Sequence, residues 1–200
     1  MEARTQTSAR LSAGDRREQL LDATKSIAVE RGFHSVSIEA VAREAGITRP
    51  VVYSHFTDLD GLLEALVERE TARALDQLAE ILPTTEEAIP DRRQALLDAM
   101  AAHMRAAQAE PGTWRLVLMP PEGAPESLRE RIAAGRNTVI GHLAAVVGPG
   151  LTQASAPPDP ELVARMLSAF SDEAIRLLLT DPEHYPAERL LATAEWLLDR

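Results

Sequence analysis

Apolar residues recur along most of this chain with the period of an amphipathic helix. After Asp15 and Glu18, whose three-residue spacing reads as a helix start, Leu20, Leu21, Ile27 and Ala28 form one stripe that stops at Gly32. A second short helix is expected from Ser37, an N-cap residue type, with Ile38, Val41, Ala42 and Ala45 on one face and Gly46 just past its end. Thr48 opens a third through about His55. Thr57 with Asp60 opens a long fourth, striped by Leu59, Leu62, Leu63, Leu66, Val67, Ala74, Leu75, Leu78 and Leu82 as far as Pro83.

Helical periodicity continues beyond Pro90. It predicts a helix from Asp91 to about Ala109, a short one around Thr113 to Met119, and one from roughly Pro125 to Val147. Two strongly apolar helices follow, Pro160 to Thr180 and Pro186 to Arg200. "MPPEGAP" breaks the pattern, and "GPGLTQASAPPDP", residues 148–160, reads as a linker. No stretch alternates with period two long enough to form a sheet. The expectation is an all-α chain of about nine helices.

Composition narrows the picture. A chain of 200 residues with 45% apolar content can bury a core. It has no cysteine, which removes disulfides and thiolate metal sites and fits a reducing compartment. The leading residues lack a signal-like apolar stretch and no later run approaches a membrane span, so a cytoplasmic protein with no membrane partner is expected. The net charge of −10 is uneven: residues 1–57 carry eight Lys and Arg against seven Asp and Glu, a net +1, and residues 58–200 hold −11. The acidity belongs to the later helices, where a solvated acidic surface needs no functional explanation.

The stretch "SIEAVAREAGITRPVVYSHF" meets the demands of two short helices crossing at a tight turn. Ala42 is small at the crossing, Gly46 permits the turn, and Val41, Ala45, Ile47, Val52 and Phe56 supply the inward side. Pro50 falls in the first turn of the second helix, where a missing N–H breaks no intrahelical bond. The outward side carries Arg49, Pro50, Val51, Ser54 and the edges of Tyr53 and His55. A guanidinium can bond guanine O6 and N7 together, valine or proline can touch a thymine methyl, and hydroxyls can reach phosphates. Ser37 and the N–H groups after it suit a phosphate.

With Gly32-Phe33, Ser37, Ala42, Gly46, Tyr53, Phe56 and the leucines of the next helix at matching positions, residues 15 to about 66 resemble the DNA-binding domain of TetR-family transcriptional regulators. The resemblance implies that Thr48, Arg49 and Val51 face bases while Ser37, Tyr53 and His55 hold phosphates. This chain departs from the family where a lysine often follows the aromatic that matches Phe56; here Thr57, Asp58, Leu59 and Asp60 follow. The expected organisation is a disordered tail over 1–14, a three-helix DNA-binding domain over 15–75 with its helix-turn-helix at about 38–57, and a helical effector-binding and dimerisation domain over 76–200. Arg4 and Arg10 in the tail could reach a minor groove, although an inert end is the simpler reading.

A single short helix reads few base pairs, so a homodimer on a palindromic duplex operator is expected. The last two helices are apolar over too wide an arc for one buried side, and Leu167, Phe170, Ala174, Leu178, Leu190, Ala194 and Leu197 are the expected dimer interface; the alternative is an ordinary monomer core. By the resemblance the middle helices enclose a small-molecule effector pocket, for which Met100, His103, Met104, Trp114, Leu118 and Met119 are the candidates, with His103 or Arg115 as polar contact. The implied function is a transcriptional regulator, commonly a repressor, released when an effector favours mismatched half-site spacing through the long fourth helix. No cofactor is called for. HExxH, GxSxG, Walker and GxGxxG motifs are absent, and His34, His55, His103, His142 and His184 lack metal-ligand spacing, so neither an enzyme nor a metal site is expected. The alternative is an all-helical small-molecule carrier or enzyme without DNA function.

Overall fold

A computed structural model of the chain describes residues 11–83, 89, 91–151 and 159–199, and among them every regular element is helical. In chain order these are α1 Ala13–Arg31, a 3-10 turn Phe33–Ser35, α2 Ile38–Glu44, α3 Arg49–Tyr53 and α4 Leu59–Ile81. There follow α5 Arg92–Ala109, α6 Pro111–Leu118, α7 Glu126–Leu151, α8 Pro160–Thr180 and α9 Ala187–Leu198. Among the described residues no helix is long and apolar enough to cross a membrane. Arg4, Arg10 and most of the linker expected over 148–160 lie outside the described residues.

Several boundaries differ from the sequence pattern for local chemical reasons. Helix α1 begins two residues before Asp15 because Ser12 takes the cap: its Oγ accepts the Asp15 N–H at 3.1 Å and donates to Asp15 Oδ2 at 2.7 Å. The Asp15 carboxylate thus accepts from the hydroxyl that caps its own N–H. Residues 13 and 14, expected in a disordered tail, are helical. At α4 the cap is Asp58, whose Oδ1 accepts the Gly61 N–H at 2.8 Å, in place of Thr57. Helix α7 runs on to Leu151 with Pro149 in its last turn, where losing one i→i−4 bond is cheaper than in mid-helix.

The chain divides into two compact units, Met1–Leu66 and Val67–Arg200, with the boundary inside α4, where the sequence suggested a division after residue 75. In the first unit, Leu20, Ile27 and Ala28 of α1, Val41 of α2, Val52 of α3, and Leu62 and Leu66 of α4 are fully enclosed, with Phe33 and Phe56 nearly so. A five-residue helix is not stable by itself, so this packing is what holds α3.

In the second unit the main core joins α4, α5, α6, α8 and α9 through Ala74, Leu97, Met104, Trp114, Ile175, Leu178 and Leu190. A smaller cluster of Ile140, Leu143 and Ala164 closes α7 on α8. Polar bonds pin α6 to α4. Thr113 Oγ1 donates to the enclosed Glu70 at 2.5 Å, and Trp114 Nε1 donates to Gln77 Oε1 at 2.9 Å.

Candidate nucleic-acid interface and effector cavity

The turn between α2 and α3 is closed by backbone. Gly46 has φ +67°, and the Ile47 N–H reaches back to the Ala42 carbonyl at 2.9 Å, which ends α2 in a Schellman-type cap. The left-handed conformation suits glycine, whereas a β-carbon would be strained. Helix α1 then ties down both short helices. Gln19 Nε2 donates to the Ala45 carbonyl at 3.0 Å, and Arg17 donates to the His55 carbonyl at 3.3 Å while its guanidinium lies 4.4 Å from the Phe56 ring centre.

With Val52 and Phe56 locked inward, the other side of α3 is left open. Thr48, Arg49, Pro50, Tyr53 and Ser54 are exposed, while Val51 and His55 are half-buried. Thr48 holds the N-cap position with extended backbone, but its hydroxyl makes no capping bond, contrary to its expected role as a capping side chain. Ser54 Oγ donates to the Val51 carbonyl at 2.7 Å. Ser37 caps α2, its Oγ accepting the Ala40 N–H at 3.1 Å. The eight residues expected to touch DNA therefore all belong to α2, α3 and their flanks.

Sequence reasoning did not find Glu39. Its carboxylate on the first turn of α2 pairs with the Arg49 guanidinium on α3, and both side chains are more than half exposed. Its own backbone hydrogen bond and then Arg49 lower the Glu39 carboxyl below the usual range. The two positions are ten apart, so only the turn geometry brings them together.

The second unit holds a cavity of about 540 Å³ walled by α4 to α9. Of the six sequence-picked pocket residues, Met100, His103, Trp114 and Leu118 line it; Met104 does not and is enclosed in the core, while Met119 is half-buried against that core. Arg115 also lies off the lining and donates to the Leu179 carbonyl at 3.1 Å. The lining that sequence did not suggest includes Thr71, Leu75 and Leu78 of α4, Gly135 and Arg136 of α7, and Ser171 and Asp172 of α8. A β-carbon at Gly135 would come within 3.1 Å of Leu75 Cδ2, so glycine lets that leucine approach α7.

The cavity is chemically simple. His103 is 6% exposed, its Nδ1 lies 3.1 Å from Ser171 Oγ, and its ring meets Trp114 edge-on with centres 4.3 Å apart. Its Nε2 is buried with no hydrogen-bond partner. Burial pushes the imidazole down to about 4, so it is neutral at physiological pH. Arg136 pairs with Asp172 at 2.9 Å, and burial raises the Asp172 carboxyl against the opposing pull of Arg136 and Arg176.

The expected dimer residues divide. Ala174, Leu178, Leu190 and Ala194 are at most 7% exposed within the chain's own core and have no surface left for a partner. Leu167 and Phe170 are half-buried along the cavity, and Leu197 is 47% exposed. The apolar surface these helices present is instead Leu162 and Met166, four apart on α8, with Trp196 and Leu197 on α9. On both helices the apolar arc is wider than the part their own core covers, and the sequence pattern could not say which part that core takes.

Residues 20–66 match the family model described as bacterial regulatory proteins, tetR family. The chain is 32% identical over 108 residues to the HTH-type transcriptional activator FasR of Mycolicibacterium smegmatis, covering 54% of this chain and 48% of that one. It is 31% identical over 100 residues to the HTH-type transcriptional regulator BetI of Escherichia coli, covering 50% and 51%. The chain thus spans about half the length of the curated relatives it matches. A TetR-like transcriptional regulator from Rhodococcus sp. RHA1 has the same fold, with a TM-score of 0.76 at 22% identity over 96% of this chain and 97% of that one.

Proposed function

We propose that the chain, whose residues 20–66 match the model of bacterial regulatory proteins of the tetR family, is a sequence-specific DNA-binding transcription regulator. The observation that carries this reading is the outward side of α3: Arg49, with Thr48 and Tyr53, stands exposed on a helix whose opposite side is fully enclosed. In a major groove Arg49 bonds a guanine edge, Val51 and Pro50 meet a thymine methyl, and Ser37, Tyr53, Ser54 and His55 hold phosphates. The cost of lifting Arg49 from Glu39 is small, since both side chains are more than half exposed and water screens an exposed ion pair.

The protein acts as a homodimer on a palindromic operator, with half-sites about 34–36 Å apart or a multiple of that. The exposed apolar residues of α8 and α9 supply the self-complementary surface. A small molecule in the cavity lowers DNA affinity, with a coupling of about 1–3 kcal/mol. Helix α4 suits that coupling, because it carries Leu62 and Leu66 of one core and then Thr71, Leu75 and Leu78 along the cavity. Repression with release by effector is the mode we assign.

The test is selection of bound duplexes from a random pool at stated salt, with the parent beside Arg49→Ala. Enrichment of a palindrome that is weakened or relaxed in the variant is the expected result. Enrichment unaffected by Arg49→Ala would move the reading surface off α3, and no enrichment by the effector-free parent would remove the DNA function.

A further inference from the structure

Helix α3 ends where negative charge gathers. Asp58 and Asp60 follow shortly after Phe56, both are exposed, and the Asp58 carboxylate is taken up in capping the Gly61 N–H. A DNA strand passing the C-terminal end of α3 meets those two carboxylates and the carbonyl end of the helix, and all of them repel phosphate. A cation is needed at this corner, yet residues 50–60 contain no lysine or arginine.

Helix α1 brings one from the other side of the motif. Arg17 is exposed, and its guanidinium sits against the residues that end α3: it donates to the His55 carbonyl at 3.3 Å and lies 4.4 Å from the centre of the enclosed Phe56 ring. Both of those partners are neutral. Arg49 and Arg31, by contrast, are each held by a carboxylate, Glu39 and Glu44. The carbonyl and the ring therefore fix where the Arg17 guanidinium stands without cancelling its charge, and the His55 bond takes only one of its five N–H donors. The corner is also the one that carries Tyr53, Ser54 and His55. Helix α3 has five residues and is about 7.5 Å long. A major groove is about 12 Å wide, so a groove that takes α3 brings a phosphate strand within an arginine side chain's reach of its C-terminal end.

We infer that Arg17 of α1 is a phosphate contact of the DNA interface, held in place over Phe56 at the end of α3. This rests on the reading of α3 as the helix that enters the groove. The phosphate bond uses N–H groups other than the one on His55, so it adds to the tie between α1 and α3 and does not break it. A phosphate contact positions the motif and carries no base preference.

Salt dependence separates this role from a merely structural one. Fluorescence anisotropy of the full chain with a mixed-sequence duplex, over a series of potassium chloride concentrations, compares the parent with Arg17→Gln, Arg17→Lys and Arg31→Gln. Arg17→Gln is expected to weaken binding and to lower the slope of log affinity against log salt by about 0.9 for each subunit on the duplex, while Arg17→Lys keeps the slope. Arg31→Gln removes a cation about 21 Å further along α1, one already paired with Glu44, and should leave the slope unchanged. Weaker binding of Arg17→Gln at an unchanged slope would mean that Arg17 only holds α3, and it overturns the inference. An equal change of slope in Arg31→Gln does the same, because it traces the effect to net charge. Should Arg17→Gln fail to fold, the Nε–H signal of Arg17 in the parent, assigned by its loss in Arg17→Lys, replaces it: adding duplex must shift it more than the signal of Arg31, and an unmoved signal overturns the inference. A parent that binds no duplex removes the DNA reading and this contact with it, whereas a parent that binds with a slope indifferent to Arg17 removes this contact alone.

Discussion

Arg49 at the first turn of α3 pairs with Glu39 at the first turn of α2, so the arginine proposed to read a base edge is held by a carboxylate of the same motif. An exposed pair of this kind is easily displaced, yet it sets where the guanidinium rests and places a negative charge beside the residues proposed to hold phosphates.

Glu39→Gln should therefore raise affinity for duplex DNA of any sequence by roughly two- to fivefold, the value of one exposed charge interaction, while lowering the preference for the selected operator. Fluorescence anisotropy with an operator and a scrambled duplex at one salt concentration measures both. A uniform loss of binding would mean that Glu39 is needed to hold Arg49 rather than to restrain it.

Gly46 meets nothing within 4 Å of where a β-carbon would stand, so Gly46→Ala isolates the cost of its φ of +67°. The expected loss is ~1 kcal/mol in urea unfolding. A change near zero would show that the turn relaxes to a negative φ.

Burial pushes the His103 imidazole from its ordinary 6.5 down to about 4. As pH falls through 6.5 the unfolded chain takes up a proton that the folded chain refuses, so stability is lost between pH 6.5 and 4 and the loss is complete near 4. It amounts to at most about 3 kcal/mol. Urea unfolding across that window should show the parent losing stability relative to His103→Phe as pH drops; parallel curves would refute the assignment.

Met166 and Trp196 are 67% and 55% exposed, whereas Leu178 is 3% exposed. Met166→Glu combined with Trp196→Glu should shift sedimentation toward monomer and leave the unfolding midpoint of the monomer nearly unchanged. Leu178→Ala should do the opposite, costing about 2–5 kcal/mol of stability as a core cavity does. An unaltered dimer in the double variant would place the interface elsewhere.

Much of this molecule was legible from short-range chemistry. Helices were found because a 3.6-residue stripe, a capping side chain and a terminating glycine act within a turn or two of each other. The helix-turn-helix was found because Ala42, Gly46, Val52 and Phe56 each satisfy a demand of that local geometry. Where local rules had two solutions the reading slipped: Ser12 and Asp58 were equally good caps, and both took the role assigned to neighbours.

What the sequence by itself determined is the all-helical architecture, the helix-turn-helix and its exposed residues. Tertiary structure alone decided that Glu39 holds Arg49, that Ser171, Leu75 and Gly135 share a cavity with His103 while Met104 does not, and that α8 offers Leu162 and Met166 outward and not Ala174 and Leu178. The physical reason is common to all three. Periodicity states which residues share a face of one helix, but which neighbour covers that face depends on how helices far apart in the chain cross.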